Sequence, residues 1–284
     1  LKRKRHEILL ENPRFSATEA MLEDGEALDR AIDATAPQVI VHLAAQAGVR
    51  YSLENPRAYL DSNVIGTFNV MEAARRTKVD HLLMASTSSV YGANEDMPFT
   101  EVEQADTQLT IYAATKKATE SMGHAYAHLH DLPVTMFRFF TVYGPWGRPD
   151  MAPYLFTSAI LAGRPIRVFN HGEMRRDFTY VADLVQGIRL LMDAVPPAPG
   201  GEAPAEGDSL SPVAPFRVVN IGNGDSVPLM DFIAAIELFT GIFSMSLMTG
   251  LIFARFSRPS ARLLFADNPV ISDHEGERTL MIRL

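Results

Sequence analysis

Short apolar runs alternate with longer stretches of helical periodicity along the chain. Four runs of apolar and β-branched residues predict strands, most of them buried on both faces: 39–45, 81–86, 133–139 and 216–221. Amphipathic stretches between these runs predict helices at 56–79, 112–129 and 181–195. Strands that alternate with helices in this way predict an α/β fold, in which helices cover both faces of a parallel sheet.

The composition narrows the class of protein without changing this picture. A chain of 284 residues is long enough for one large or two modest domains. With 47% hydrophobic and 21% charged residues, a disordered chain and a collagen are excluded. The net charge of −8 argues against a nucleic-acid partner, which would need a basic face. The chain has no cysteine, which excludes disulfides and cysteine-ligated metals and fits the cytoplasm; we expect no metal site.

The two ends and one internal segment depart from the pattern. The basic N-terminus is followed by no apolar run, so it predicts no secretory signal. Residues 238–254 carry no charge, but they fall slightly short of a membrane span and include several Ser, Thr and Gly residues. We therefore expect a buried or misplaced segment there rather than a membrane helix. Residues 198–215, rich in Pro, Gly and Ala, predict a mobile surface linker.

Two predicted strands end in residues suited to a ligand. Ligands of parallel α/β sheets bind outside the carboxyl ends of the strands. One strand ends at Ala44–Gly48, where small side chains let either a flat ligand or a packed helix approach the backbone. The next ends in the hydroxyl cluster Ser86–Ser89, which can bind a ligand or cap the following turn.

Tyr112 and Lys116 lie one turn apart on one face of the same predicted helix. An ammonium group beside a phenol stabilises the phenolate and lowers a tyrosine pKa from its usual value near about 10. Such a phenolate can remove a proton from a sugar hydroxyl. A Tyr-x-x-x-Lys pair is common by chance, and Thr87 at a strand end is what makes this one a candidate catalytic group.

Thr87, Tyr112 and Lys116 resemble the catalytic trio of the extended short-chain dehydrogenase/reductase superfamily. Within it, the chain most resembles UDP-glucuronate 4-epimerases, through His42–Pro56, Tyr112–Lys117, the run Arg-Phe-Phe-Thr-Val-Tyr-Gly-Pro-Trp-Gly-Arg-Pro-Asp-Met at 138–151 and Arg176–Tyr180. The resemblance covers about residues 1–237 and implies a Rossmann-type doubly wound parallel sheet with a smaller C-terminal substrate-binding lobe. The expected divisions are an NAD-binding domain at 1–145, a substrate lobe at 146–237 interleaved with the last sheet elements, the linker, and an atypical apolar tail at 238–284.

This resemblance implies an NAD-dependent inversion at C4 of UDP-glucuronate, giving UDP-galacturonate through a 4-keto intermediate. Tyr112 would take the proton of the C4 hydroxyl, and Thr87 would bond the reacting oxygen with Ser88 and Ser89 nearby. Lys116 would hold the cofactor ribose and tune Tyr112. The residues expected to line NAD are Ala44, Ala45, Gln46, Asn63, Tyr112 and Lys116.

The same resemblance assigns the substrate side. Arg176 matches an arginine that pairs with the UDP diphosphate, and Val168 and Phe169 match the segment that holds the uracil ring. Thr141 and Arg148 are our candidate contacts for the glucuronate carboxylate. The alternative for each arginine is a surface ion pair, which for Arg148 would be an ion pair with Asp150 that orders the loop.

Among related activities, dehydration is disfavoured by the sequence and two alternatives to UDP-glucuronate epimerisation stay open. Dehydratases of this superfamily carry acidic residues where this chain has Ser88 and Ser89, so dehydration is not expected. Two alternatives are a UDP-glucose-type 4-epimerase and a truncated, non-catalytic UDP-sugar-binding fragment. The second is motivated by the absence from the sequence of the family's Gly-x-x-Gly-x-x-Gly turn and by Met21, which stands where relatives have an adenine-contacting Asp.

The resemblance stops abruptly after Glu237, as a shifted reading frame would make it do. As partners we expect a UDP-sugar and, in an intact protein, a second copy of the chain that packs through the two long helices.

Overall fold

The computed structural model describes residues 2–166, 168, 170–200, 204–256, 270–274 and 277–281. The predicted uracil contact Phe169 lies outside these residues, as does a large part of the predicted tail.

A four-stranded parallel sheet forms the centre of the molecule, in the order β1-β2-β3-β6. Its strands are β1 (Val39–His42), β2 (His81–Thr87), β3 (Val134–Phe139) and β6 (Phe216–Ile221). All four predicted strands are confirmed, although β1 stops at His42 and leaves Leu43–Ala45 in the following loop. The register sets Thr87 beside Phe139 and Phe139 beside Ile221, so three strands end at the same level.

Nine α-helices flank the sheets or connect their strands in the described part of the chain. They are α1 (Lys2–Leu10), α2 (Gly25–Thr35), α3 (Tyr51–Glu54), α4 (Pro56–Tyr59), α5 (Gly66–Thr77), α6 (Ile111–His130), α7 (Ala152–Leu161), α8 (Val181–Asp193) and α9 (Leu229–Phe256). Short 3-10 turns at Ser88–Tyr91 and Asn170–Gly172 complete the helical segments.

Burial explains why β2 lies in the middle of the sheet. Every residue of β2 is buried, and Leu82 and Met84 pack with Val134 and Met136 of β3 in the largest apolar cluster. A strand covered on both faces has to be apolar along its whole length, which is the pattern of this segment. The core therefore holds β2 and β3 rigidly, and their carboxyl ends become fixed points for the residues that follow.

The helix predicted at 56–79 is continuous in direction but not in hydrogen bonding. It begins with α4, passes through a π-helical turn at Leu60–Ile65 and continues as α5. π-Helical turns insert one extra residue per turn and are frequent at functional sites. The buried amide of Asn63 lies in this turn.

A small sheet beside the carboxyl ends of β2 and β3 forms the second layer of the predicted lobe. It contains β4 (Thr141–Tyr143), β5 (Arg175–Tyr180) and β7 (Ser226–Pro228), with β5 in the centre. The Asp177 carboxylate accepts hydrogen bonds from the backbone N–H groups of Asn223 at 2.9 Å and Gly224 at 2.8 Å. This carboxylate ties β5 to the loop between β6 and β7.

The second half of the predicted linker is anchored to the main domain. Ala214 is fully buried, and the Val213 carbonyl lies 2.8 Å from Nδ1 of His128 on α6. The Ser211 hydroxyl lies 2.9 Å from Nε2 of His124.

The apolar tail begins inside α9. Among the described residues, the segment Leu229–Thr249 of α9 is long and apolar enough, by length and composition alone, to cross a membrane. It exposes Phe239 and Met245 along with most of its other side chains. Two further described strands, β8 (Val270–His274) and β9 (Glu277–Met281), form an antiparallel pair.

Candidate active site

The predicted trio converges where β2 ends and α6 begins. Thr87 is the last residue of β2, and its hydroxyl lies close enough to the phenol of Tyr112, the second residue of α6, to oppose the rise in the pKa of that phenol. Thr110 caps the helix by accepting a hydrogen bond from the Ala113 N–H at 3.2 Å. The Thr87 hydroxyl also donates to Ser89 Oγ at 3.3 Å and accepts from the Ser89 N–H at 3.2 Å. The hydroxyl groups of Thr87 and Tyr112 therefore lie near each other, where both could contact one sugar oxygen.

The electrostatics of Tyr112 differ from the sequence-based prediction. Burial raises the pKa of Tyr112, and the Thr87 hydroxyl and the positive charge of Arg148 oppose this rise without cancelling it. The prediction was that Lys116 would lower this pKa. In the structure the Lys116 ammonium instead donates to the Ala85 carbonyl at 2.7 Å, on the neighbouring strand. Desolvation of the phenolate outweighs the favourable charges as long as the ligands are absent.

Lys116 is itself deeply buried, with 2% of its surface exposed. Burial lowers the pKa of Lys116 to about 8, and the negative charge of Glu120 opposes that shift. The neighbouring His42 is buried on β1, where burial and the Lys116 charge lower its pKa to about 3. His42 is therefore neutral near pH 7 and adds no positive charge at this edge of the sheet.

Asn63 fixes the loop after β1 against α6. Its Oδ1 accepts from the Gln46 N–H at 2.8 Å, and its Nδ2 donates to the Gln46 carbonyl and to Thr115 Oγ1, both at 3.1 Å. The amide is fully buried, so it cannot itself face a bound molecule in this arrangement. Of the residues expected to line NAD, Asn63 and Gln46 thus shape the wall, whereas Ala44 is exposed and Ala45 half-buried beside it.

Two residues that the sequence did not single out, or left ambiguous, surround Tyr112. The Tyr59 ring packs edge-on against the Tyr112 ring with their centroids 6.0 Å apart, and its hydroxyl donates to the Gly48 carbonyl. Arg148 reaches the same loop, since a Cβ placed on Gly48 would lie 3.9 Å from its Nη2. Arg148 is also paired with Asp150, its Nε donating to Oδ1 at 3.0 Å. The loop-ordering ion pair considered as the alternative is therefore present, beside the proposed catalytic group.

A cavity of about 590 Å³ opens between the main sheet and the small sheet. Ser88, Thr141 and Arg176 line it, together with Asn220 and the segment Met97–Glu101. Its volume falls within the usual range of about 300–1,000 Å³ for small-molecule sites. The structure therefore brings two predicted substrate contacts, Thr141 and Arg176, and the predicted supporting hydroxyl of Ser88 to one pocket.

Arg176 is the cation that this cavity presents without a partner inside the described chain. No side-chain hydrogen bond or ion pair joins its guanidinium to another described residue, whereas the neighbouring Arg175 donates to Ser226 Oγ at 2.9 Å. Partial burial lowers the pKa of Arg176, although a guanidinium stays charged at any ordinary pH. Val168, the described half of the predicted uracil segment, is 37% exposed and is not among the residues that line the cavity.

Sequence analysis missed a buried ion pair next to the trio. Arg138 on β3 and Glu120 on α6 are both 3% exposed and form two hydrogen bonds, of 2.9 and 3.0 Å. The signal was an arginine inside an otherwise apolar strand, because such a charge has to find a buried partner. Tyr59 offered no comparable signal, since an aromatic residue on a helix is ordinary core.

Comparison with known proteins agrees with this geometry. The sequence profile of the NAD dependent epimerase/dehydratase family matches residues 2–203. This chain belongs to that family. Over 242 residues it is 55% identical to a probable UDP-glucuronate 4-epimerase of Rhizobium meliloti strain 1021, covering 85% of this chain and 71% of that protein.

Solved structures show the same fold. A UDP-glucuronic acid 4-epimerase of Bacillus cereus, in complex with UDP-glucuronic acid and NAD, matches with a TM-score of 0.72 and 29% identity, over 84% of this chain and 70% of that one. A UDP-glucose 4-epimerase of Thermotoga maritima with UDP-glucose matches with a TM-score of 0.69 and 28% identity, over 81% and 70%. The Rossmann-type α/β fold is thereby confirmed, and NAD is the cofactor of the family.

Proposed function

We propose that this chain inverts C4 of UDP-glucuronate to give UDP-galacturonate, with NAD retained on the enzyme. The observation that carries the proposal is that the Thr87 hydroxyl at the end of β2 and the Arg148 cation both lie near the Tyr112 phenol and favour its phenolate form. The high identity to a probable UDP-glucuronate 4-epimerase supports this substrate over other nucleotide sugars.

The residues of this chain that fit NAD are those around its nicotinamide ribose. Exposed Ala44, half-buried Ala45 and Gly48 (φ +110°) leave the backbone after β1 open to a flat ring, and Lys116 and Tyr112 lie opposite on α6. The chemistry that the bound cofactor supplies is removal of a hydride from C4 and its return to the other face. The positive charge of the oxidised nicotinamide would also oppose the burial that raises the pKa of Tyr112.

The protein residues handle the proton. The Tyr112 phenolate accepts the proton of the C4 hydroxyl, while the Thr87 hydroxyl donates to the same oxygen and holds it in line. After the sugar has turned over, Tyr112 returns the proton to the new C4 oxygen. The Ser89 N–H donates to the Thr87 oxygen and keeps it in place, while the single Thr87 hydroxyl proton turns from Ser89 Oγ to the substrate oxygen.

The substrate is held at its charged ends. Arg176 would bind the diphosphate, because among the described residues that line the cavity it is the guanidinium without a side-chain partner, and guanidinium groups match phosphate oxygens well. Thr141 and Arg148 would bind the sugar carboxylate and keep it out of the geometry in which a 4-keto acid loses carbon dioxide. Arg148 would have to exchange Asp150 for the substrate carboxylate.

The direct test is to incubate the purified protein with UDP-glucuronate and, separately, UDP-glucose, and to follow epimer formation by chromatography. We expect UDP-galacturonate to form and UDP-glucose to turn over at least about tenfold more slowly, since a neutral sugar leaves the Arg148 contact unused. Faster turnover of UDP-glucose would favour the alternative sugar. If neither turns over, separate titrations with UDP and NAD test the alternative of a binding fragment, which would take up UDP without NAD.

We propose two further features, a homodimer and a cytoplasmic location. A homodimer through the long helices would cover Leu60, Ile65 and Phe68, which are between 41% and 48% exposed. A cytoplasmic location fits the cysteine-free sequence and the nucleotide substrate.

A further inference from the structure

Charged groups are buried together directly behind the proposed catalytic residues. Lys116, Glu120 and Arg138 are each between 2% and 3% exposed. Within the part of the chain that the structure describes, Glu120 is the one buried carboxylate, set against two buried cations. A buried charge is costly unless it is paired and hydrogen-bonded. We therefore ask whether these charges hold the catalytic residues in position or set the charge of a neighbour.

Glu120 ties the catalytic helix to two strands at once. It accepts from Ser86 Oγ at 2.5 Å and from Nε and Nη2 of Arg138 at 3.0 and 2.9 Å. Ser86 directly precedes Thr87 on β2, and Glu120 lies one turn beyond Lys116 on α6. The contact therefore fixes the strand that carries Thr87 against the helix that carries Tyr112.

Arg138 extends the same unit to the wall of the substrate cavity. Its Nη1 donates to the Glu101 carbonyl at 3.3 Å, and its guanidinium lies 4.7 Å from the centre of the Tyr91 ring. The Tyr91 hydroxyl donates to the Thr100 carbonyl at 2.9 Å. Thr100 and Glu101 both line the cavity, so a continuous set of contacts joins the cavity wall to α6.

We propose that Glu120 is a positioning residue for the reaction, which fixes the distance between Thr87 and Tyr112 through Ser86 and Arg138 and whose negative charge keeps Lys116 in its ammonium form. This inference rests on the proposed function for its kinetic part only. Its electrostatic part concerns the protein alone.

The groups around Lys116 determine whether its side chain is charged. Burial lowers the pKa of Lys116 to about 8 even though the negative charge of Glu120 opposes this shift. From β1 the neighbour is His42, whose lowered pKa leaves it neutral. Arg138 on β3 is a cation paired with Glu120 and is not among the charges that shift the pKa of Lys116. On α6 itself, Tyr112 is a neutral phenol and the Lys117 ammonium lies 3.4 Å from Glu120. Without Glu120, these groups would leave Lys116 facing cations or neutral groups.

The first test is a titration of the Lys116 side chain by NMR, in protein with ¹³C-labelled lysine and with Lys116→Arg to assign the signal. In Glu120→Gln we expect the midpoint to fall by about one pH unit, because one opposite charge nearby has an effect of that order. Glu120→Asp, which keeps the charge, should recover most of the fall. As a matched control, Glu72→Gln removes a carboxylate that is also paired with an arginine and a tyrosine hydroxyl, but on α5. It should leave the midpoint unchanged.

A midpoint that stays in place in Glu120→Gln, or that moves equally in Glu120→Asp, would overturn the electrostatic role. If the single variant does not fold, Glu120→Gln combined with Arg138→Gln removes the pair without leaving Arg138 buried and unpaired, and the midpoint should still fall because Glu120 is the charge that raises the pKa of Lys116.

The second test uses turnover of UDP-glucuronate as a function of pH. In Glu120→Gln the ratio of kcat at pH 8.5 to kcat at pH 6.5 should fall about sixfold relative to wild type, because Lys116 loses its proton at lower pH. A uniform loss at all pH values would indicate a clamp without an electrostatic role and would contradict the proposal. Absence of turnover in the wild type would count against the proposed function alone, since the NMR titration does not depend on it.

Discussion

The two sides of the candidate site are built differently. On one side, at the carboxyl end of β2 and the helices packed against it, the side chains are buried and hydrogen-bonded within the protein. They are Thr87, Lys116 and Asn63. Among the proposed substrate contacts, Arg148 holds an exposed ion pair with Asp150, and Arg176, which lines the cavity, has no side-chain partner in the described chain. Groups that do chemistry need one geometry, which burial in a core enforces, whereas groups that bind an anion need contacts that the anion can replace. The difference indicates a rigid catalytic edge facing a binding lobe that is completed by the substrate.

The largest effect should come from the rigid side. Tyr112→Phe removes the proton acceptor and leaves the packing against Tyr59 intact, so kcat should fall by about 10³-fold or more while UDP and NAD binding stays within about twofold. Steady-state kinetics and calorimetric titration measure the two quantities separately. Tyr91→Phe, in which the lost hydroxyl bonds Thr100 and Asn220, is a matched control with an intact phenol at 112. Turnover that survives in Tyr112→Phe would refute the role of Tyr112.

The sequence predicts those parts of the site that local spacing fixes, and it does not predict the parts that contacts between distant residues fix. Tyr112 and Lys116 share a face because they are four residues apart on a helix, and the buried strands are evident from their apolar runs. The π-helical turn at Asn63 could not be predicted, since it is fixed by contacts to Gln46 and Thr115, the latter 52 residues away. The Arg138–Glu120 pair joins different elements and has no periodic signature. Arg148 was ambiguous for a physical reason: both a carboxylate substrate and Asp150 satisfy a guanidinium.

The next largest effect tests the rigidity of the catalytic edge. Asn63→Ala leaves the Gln46 backbone groups and the Thr115 hydroxyl short of a partner in a buried place, which should cost about 3 kcal/mol of the free energy of unfolding. Denaturant unfolding measures it. Asn69→Ala on α5 is the matched control, because its half-buried amide donates one bond, to the Leu22 carbonyl at 2.8 Å, and should cost about 1 kcal/mol. Equal losses in the two variants would mean that the loop after β1 is not held by Asn63.

On the binding side, Arg176→Met should act on affinity and leave the fold alone. Loss of a charge-assisted contact to the diphosphate should raise the Kd for UDP by about 30-fold, with the unfolding free energy unchanged within about 0.5 kcal/mol. Arg175→Met is the matched control, as its neighbouring guanidinium is already bonded to Ser226. Calorimetry with UDP measures the affinities. A larger loss in Arg175→Met than in Arg176→Met would exchange the roles of the two residues.

The smallest effect concerns the ion pair that the substrate has to replace. Asp150→Asn releases Arg148 from an exposed carboxylate, and pairs of this kind contribute about 0–1 kcal/mol, so the KM for UDP-glucuronate should fall by up to about fivefold. The KM for UDP-glucose should not change, because a neutral sugar does not compete with Asp150. Steady-state kinetics with both substrates make the comparison, and the Asp61→Asn change, which breaks the exposed pair with Arg57, is the control. A rise in KM for UDP-glucuronate, or an equal change for both sugars, would show that Arg148 orders the loop and does not meet the substrate carboxylate.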